Sequence, residues 1–375
     1  MKASMTIMRL SMGLLLALAS APALLAQDQL LELQAEYRDL YKSSHESVIM
    51  VSSNKIDPDD ALGGTMSLST QANTEVGFVV EGGYVICDVE DIWGQSRSGG
   101  DPRDDMKKVK RVWGRTASGQ DFEMQVVGFD FSNLICVAKL PGHIDLPQLR
   151  LGDSEQTKPG ETVAALGNGF DVMLVDQQVG FYMGTVSEIT RFEPYNYYNT
   201  DEPGDPYKGS TLCFEGAVNP GDHGGPLINM RGEVIGMLSS HYHAGRRIGS
   251  AVPSSQFKIA FDAIVAGGKA PVSMLGFKVA NANTAADKDA VLTSVNDNGP
   301  MAAGGLKKGD QIIMIDGFPI QGQDDLAQVV GYRFTMQEGS NRPLTYGLPP
   351  GALLLFTVKR GSIMLTCEVR AMAKP

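Results

Sequence analysis

The stretch Asn219-Pro220-Gly221-Asp222-His223-Gly224-Gly225-Pro226-Leu227 constrains this chain more than any other. Glycine and proline at this density exclude a regular helix and specify a tight turn. Its backbone must take φ values that other residues resist, or pass close to another group. Strand-like runs flank it, with Gly232-Glu233-Val234-Ile235-Gly236 following directly. Successive backbone N–H groups in such a turn can form a nest for a carbonyl oxygen or a carboxylate.

With 375 residues the chain has room for two or three domains. Hydrophobic residues make up 43% and charged residues 20%, so most of it can bury a core. Residues 1–26 read as a cleaved secretory signal. Lys2 and Arg9 give a positive start and Leu10 to Leu18 an apolar run. Ala21-Pro22-Ala23 or Leu24-Leu25-Ala26 offers a small-residue exit. The expected location is therefore secreted or periplasmic, and no later segment is long and apolar enough to span a bilayer. Removal of the signal leaves 30 basic against 43 acidic residues. That balance argues against nucleic acid and anionic lipid as partners. Cys87, Cys136, Cys213 and Cys367 sit in strand-like apolar runs, as buried free thiols do, although an oxidising compartment would permit a Cys87–Cys136 bridge. No two have zinc-ligand spacing, and no cofactor is implied.

Leu30, Leu33, Tyr37 and Leu40 recur at helical spacing, so residues 27–45 form an amphipathic helix. Short strands follow from Glu46: Ser47–Ser52, Glu75–Val80, Tyr84–Val89, Val109–Arg115, Phe122–Val127 and Leu134–Leu140. Asn54 to Asn73 and Trp93 to Lys108 read as long loops. Many short strands with turn signals suggest a small barrel. A second set comprises Thr162–Leu166, Val179–Ile189, Leu212–Glu215, Val234–Leu238 and Ile248–Val252. A helix then starts near Ser254-Ser255, which can cap it, and runs to Ala266. Residues 267–271 are a linker, and residues 272–375 a further domain.

The glycine-rich stretch resembles the nucleophile loop of trypsin-like serine proteases, in particular the Deg/HtrA branch, whose motif runs N-P-G-N-S-G-G-P-L. The segment after the linker resembles a PDZ domain. The residues that carry this are Met274-Leu275-Gly276-Phe277, Gly299-Pro300-Met301, Gly304-Gly305-Leu306, Lys308-Gly309-Asp310 and a helix at Asp325–Val330. It departs in a longer insertion, Tyr332 to Pro350. The resemblance implies a mostly β chain: a trypsin-like double β-barrel over residues 46–266, then an α+β PDZ domain.

The resemblance also locates a catalytic triad, and the chain departs from it at each position. The nucleophile position is His223, and no serine lies between Ser210 and Ser239. The His segment of the family, G-x-[IV]-[LV]-T-N-x-H-[VI]-[VI], corresponds to Gly83-Tyr84-Val85-Ile86-Cys87-Asp88-Val89-Glu90-Asp91-Ile92. Ungapped, the histidine position is Glu90; a slip of one residue gives Val89 or Asp91. No histidine occurs between His45 and His143. The Asp segment corresponds to Asp130 to Lys139 and places Asn133 at the acid. A serine mechanism needs a hydroxyl and an adjacent base, and here both are replaced. The oxyanion frame, Gly221, Asp222 and His223, retains its backbone N–H groups.

These departures imply a catalytically inactive homologue that binds peptide C-termini or unfolded segments and serves as a scaffold, chaperone or regulator of an active homologue. The turn at Met274, Leu275, Gly276 and Phe277 would take a terminal carboxylate, and the peptide would add to an adjacent strand edge. The resemblance further implies a homotrimer. Two alternatives stand beside this. One is a hydrolase with altered chemistry at Glu90 and His223. The other is a metal site formed by His223 with His241 and His243 from the Ser239-Ser240-His241-Tyr242-His243 loop. A tyrosine-rich stretch, Arg191 to Ser210 with Tyr195, Tyr197, Tyr198 and Tyr207, reads either as an interface or as a loop packed on its own aromatics.

Overall fold

The computed structural model describes residues 27–56, 74–95, 102–191, 207–216, 218–239, 248–279, 289–330 and 347–374. The expected signal segment, His241, His243, Tyr195, Tyr197, Tyr198 and most of the Tyr332–Pro350 insertion lie outside these residues. The chain divides into two compact units, Met1–His45 and Glu46–Pro375. In the first, residues 27–44 form helix α1, which exposes Leu30 and Leu33 and buries Leu40.

The second unit opens with a closed barrel. Its strands are β1 (Val48–Ser52), β2 (Glu75–Val80), β3 (Tyr84–Asp88), β4 (Arg111–Thr116), β5 (Asp121–Asp130) and β6 (Ile135–Lys139), in the order β1-β2-β3-β6-β5-β4. β1 is buried along its length, while β4 alternates buried Val112, Gly114 and Thr116 with more exposed neighbours. That period of two is the signature of a strand with one face in a core. Part of the expected loop Trp93–Lys108 is helical. Helix α2 (Val89–Gln95) begins where the Asp88 carboxylate accepts the Glu90 N–H at 2.8 Å, an N-cap.

The second barrel comprises β7 (Arg150–Leu151), β8 (Thr162–Gly167), β9 (Gly180–Arg191), β10 (Ser210–Glu215), β11 (Pro226–Asn229), β12 (Glu233–Leu238) and β13 (Gly249–Pro253). The order is β11-β8-β9-β10-β13-β12, closed by β11 pairing with β12, with β7 added beside β12. Val163, Ala165, Val186, Leu212, Phe214, Leu227 and Ile235 fill it. Helix α3 (Ser254–Val265) follows and buries Phe257, Ala260, Phe261 and Ile264, three and four residues apart. It packs on the first barrel, where Phe261 meets Tyr84 edge-on at 6.0 Å. The expected serine cap is not used. Pro253 occupies the N-cap, the Ser254 hydroxyl donates to the Gly152 carbonyl at 2.8 Å, and the Ser255 hydroxyl pairs with that of Ser154. A tertiary partner has displaced the local one.

The last part contains β14 (Ser273–Met274), β15 (Phe277–Val279), β16 (Leu292–Val295), β17 (Gln311–Ile315), β18 (Phe318–Pro319), helix α4 (Gln323–Val330), β19 (Leu353–Arg360), β20 (Ile363–Arg370) and β21 (Met372–Ala373). A β18-β17-β19-β20 sheet and the smaller pairs β15–β16 and β14–β21 enclose a core that includes Leu275, Leu292, Met301, Leu326 and Phe356. Buried Asp310 accepts two hydrogen bonds from Arg360, at 2.7 and 2.8 Å, and this guanidinium holds its carboxyl below the usual carboxylate range. Chain ends and loops here also meet the barrels. Arg191, at the end of β9, pairs with Asp316, and its Nη2 donates to the Val329 carbonyl of α4 at 3.0 Å.

Cys87 and Cys136 are register partners on β3 and β6; no disulfide joins any of the four cysteines, and Cys87, Cys136 and Cys213 are buried. Of the tyrosine-rich stretch, Tyr207 is a core residue whose hydroxyl donates to the Ser210 carbonyl and accepts from Gln256.

Candidate functional site

The glycine-rich loop runs between the two barrels. Asp222 closes it from within: its N–H donates to the Asn219 carbonyl at 3.0 Å, and its carboxylate accepts the Asn219 N–H at 2.8 Å. Asp222 is fully buried, and burial pushes its carboxyl up to about 6. Of the expected frame Gly221, Asp222 and His223, the Asp222 N–H is thus engaged within the turn. On the first-barrel side, Val76 N–H donates to the His223 carbonyl at 3.1 Å. On the second, Gly224 N–H donates to the Leu238 carbonyl at 2.9 Å. Gly224 has φ +79°, and a Cβ there would lie 2.2 Å from the Val76 carbonyl oxygen. The glycine is required by both conformation and contact.

This anchoring sets the His223 imidazole among carboxylates. One ligand atom each from His223, Glu75 and Asp91 lies within 4.8 Å of the other two. Asp91 is the residue after Glu90 on α2, and corresponds to the one-residue slip in the motif. Glu75 heads β2 and was not recognised from sequence as a site residue. The available signal was an acid opening the apolar run Val76–Val80 after a long loop. Its Oε2 is buried and makes no hydrogen bond. Burial raises the Glu75 carboxyl to about 10, with further upward pressure from Asp91, Asp88, Asp171 and Asp222. At neutral pH Glu75 therefore holds a proton, and the pocket concentrates acid groups beside one imidazole.

Asn133 lies in the turn Phe131–Asn133 and is fully buried. Its Nδ2 donates to the Asp130 carboxylate at 2.5 Å, while its Oδ1 makes no hydrogen bond. The turn is tied to α2 by Val89 N–H donating to the Leu134 carbonyl at 3.0 Å. Leu134 takes φ 58°, which lets the chain leave the turn into β6. Glu90, the second residue of α2, and Asn133 are thus carried by elements that touch, and His223 is bound to β2 of the same barrel.

The second candidate site is the turn Met274–Phe277. Gly276 has φ 73°, with its carbonyl accepting Asn296 N–H at 2.8 Å and the Leu275 carbonyl accepting Met301 N–H at 3.2 Å. Leu275 is buried in the core, Met274 pairs with Met372, and Phe277 opens β15, which pairs with β16. Helix α4 lies in the same domain, and its Val329 carbonyl is the one held by Arg191.

The family described as a trypsin-like peptidase domain matches residues 76–237, and the PDZ domain family matches residues 267–333. A probable periplasmic serine endoprotease, DegP-like, from Pseudomonas fluorescens is 31% identical over 234 residues, covering 58% of this chain and 44% of that protein. A protein of the same description from Halomonas elongata is 30% identical over 224 residues, covering 57% and 44%. The aligned part thus spans less than half the length of these relatives. Among solved structures, the HtrA-type protease AlgW with decapeptide aligns over 90% of this chain and 99% of its own, at 18% identity and a TM-score of 0.48. The chain is thus similar to trypsin-like peptidase domains over residues 76–237, to PDZ domains over residues 267–333, and to DegP-like relatives over 58% of its own length.

Proposed function

We propose that this protein is a secreted or periplasmic member of the family that binds peptides through its PDZ domain and does not cleave them by a serine mechanism. The periplasmic names of its relatives and the positive, then apolar, residues 1–26 support the location. The observation that carries this reading is His223 at the nucleophile position of a loop that departs from the family motif only there and at Asp222, with the carboxyl groups of Glu75 and Asp91 around it. A carboxylate can draw a proton from an imidazole, but neither group supplies the hydroxyl that forms an acyl-enzyme. Glu90 and Asn133, at the other two triad positions, complete the departure. The binding role rests on the Met274–Phe277 turn and on β15, to which an extended peptide would add by backbone hydrogen bonds. Oligomerisation as a trimer, and service as a chaperone or regulator of an active homologue, extend this reading.

The test is incubation with unfolded casein and with a fluorophosphonate probe. Neither cleavage nor covalent labelling is expected. Stoichiometric labelling that one substitution abolishes would overturn the proposal.

A further inference from the structure

Glu75, Asp91 and His223 reach the cleft from three separate elements: the head of β2, helix α2 and the loop before β11. Each element is held by backbone hydrogen bonds described above, so the side chains converge on a prepared frame. Glu75 Oε2 is enclosed and accepts no hydrogen bond. A buried oxygen left without a partner is destabilising, and native proteins usually satisfy such groups. A bound cation would satisfy it. One imidazole nitrogen with two carboxylate oxygens is a mixed donor set. It suits a borderline divalent ion better than magnesium or calcium, which are held by oxygen ligands in greater number.

We propose that the cleft binds one zinc ion through Glu75, Asp91 and His223, leaving a fourth position for water or a ligand group. Ligand atoms around tetrahedral zinc lie about 3.4 Å apart, given bonds of about 2.0–2.1 Å. The three groups, now within 4.8 Å of one another, need close by at most about 1.4 Å. The site differs from the one that sequence alone suggested, since it takes its other ligands from the first barrel and not from His241 and His243.

The experiment uses the full chain without a histidine tag, stripped with EDTA and desalted. Zinc is titrated against a chromophoric chelator, and cobalt is added in parallel for its visible absorption. One zinc per chain with micromolar or tighter affinity is expected, together with a higher Tm in excess zinc. Glu75→Gln and His223→Ala should each weaken binding at least tenfold, while His143→Ala, at an exposed position, should not change it. Where a variant fails to fold, zinc-edge X-ray absorption of the wild type decides, with one imidazole among oxygen donors expected. The proposal is overturned if the folded protein does not bind zinc, or if binding survives Glu75→Gln or His223→Ala. A spectrum with no imidazole, or with two or more, overturns it equally.

Discussion

The inter-barrel cleft and the Met274–Phe277 turn, the two proposed recognition sites, are both built on glycine, yet they store their chemistry in different parts of the residue. In the cleft, any reaction depends on which side chains stand at positions 75, 90, 91, 133 and 223. In the turn Met274–Phe277, recognition of a carboxylate depends on backbone N–H groups, which every residue except proline carries. A single substitution can therefore empty the first site of its chemistry while its frame persists. The second keeps its chemistry for as long as Gly276 allows the turn. Frame and chemistry are separable in one place and inseparable in the other.

The largest expected effect tests that separation directly. His223→Ser alone restores a hydroxyl but no competent base, so casein turnover should stay about 10⁴-fold or more below an intact triad. Recovery requires at least Glu90→His and His223→Ser together, with Asn133→Asp added to orient the new imidazole. Activity from the single variant would place the base elsewhere in the cleft.

Next comes the acid pocket, in EDTA. The Glu75 carboxyl is raised from 4.5 unfolded to about 10 folded. A raised folded value means that stability is full below the unfolded value and is lost as pH climbs through the folded one. Denaturant unfolding should thus show greater stability at pH 5 than at pH 8, and Glu75→Gln should flatten the slope. An unchanged slope would mean that Glu75 does not hold its proton.

The glycines come third. Gly224→Ala forces a Cβ against the Val76 carbonyl at an unfavourable φ and should cost about 3 kcal/mol. Gly276→Ala meets Asn296 Cβ and Gly299 Cα at 3.3 Å and Pro300 Cδ at 3.7 Å, none under 3.0 Å, so about 1 kcal/mol is expected, with peptide affinity falling instead. Equal losses of stability would erase the contrast between the sites. The smallest effect is that of the peptide terminus. Peptides should bind the full chain with micromolar Kd, and C-terminal amidation should weaken them about tenfold, or about 1.4 kcal/mol. Binding that ignores amidation would reassign the turn.

Much of this was legible in the chain. The apolar runs marked most strands of both barrels to within a few residues, because a strand's burial is written in its own sequence. The loop Asn219–Leu227 and the turn Met274–Phe277 were legible because their glycines answer to local φ values. What escaped was whatever depends on a distant partner. Glu75 read as the edge of a strand, since nothing near it says that residue 223 will arrive. Ser254 and Ser255 read as caps until Gly152 and Ser154 claimed their hydroxyls. Helix α2 is too short for its period to stand out beside β3. Arg191 gave no sign of Asp316, a partner 125 residues away.

The hydrogen bond from Val76 N–H to the His223 carbonyl has a consequence for motion. It joins two segments that are close in space and remote in sequence, so its contact carries a large loop-closure entropy and should form late in folding. The same bond must break whenever the loop lifts from the first barrel. Slow deuterium uptake at the Val76 amide, relative to β2 neighbours paired with β1 or β3, would thus clock the parting of the two barrels.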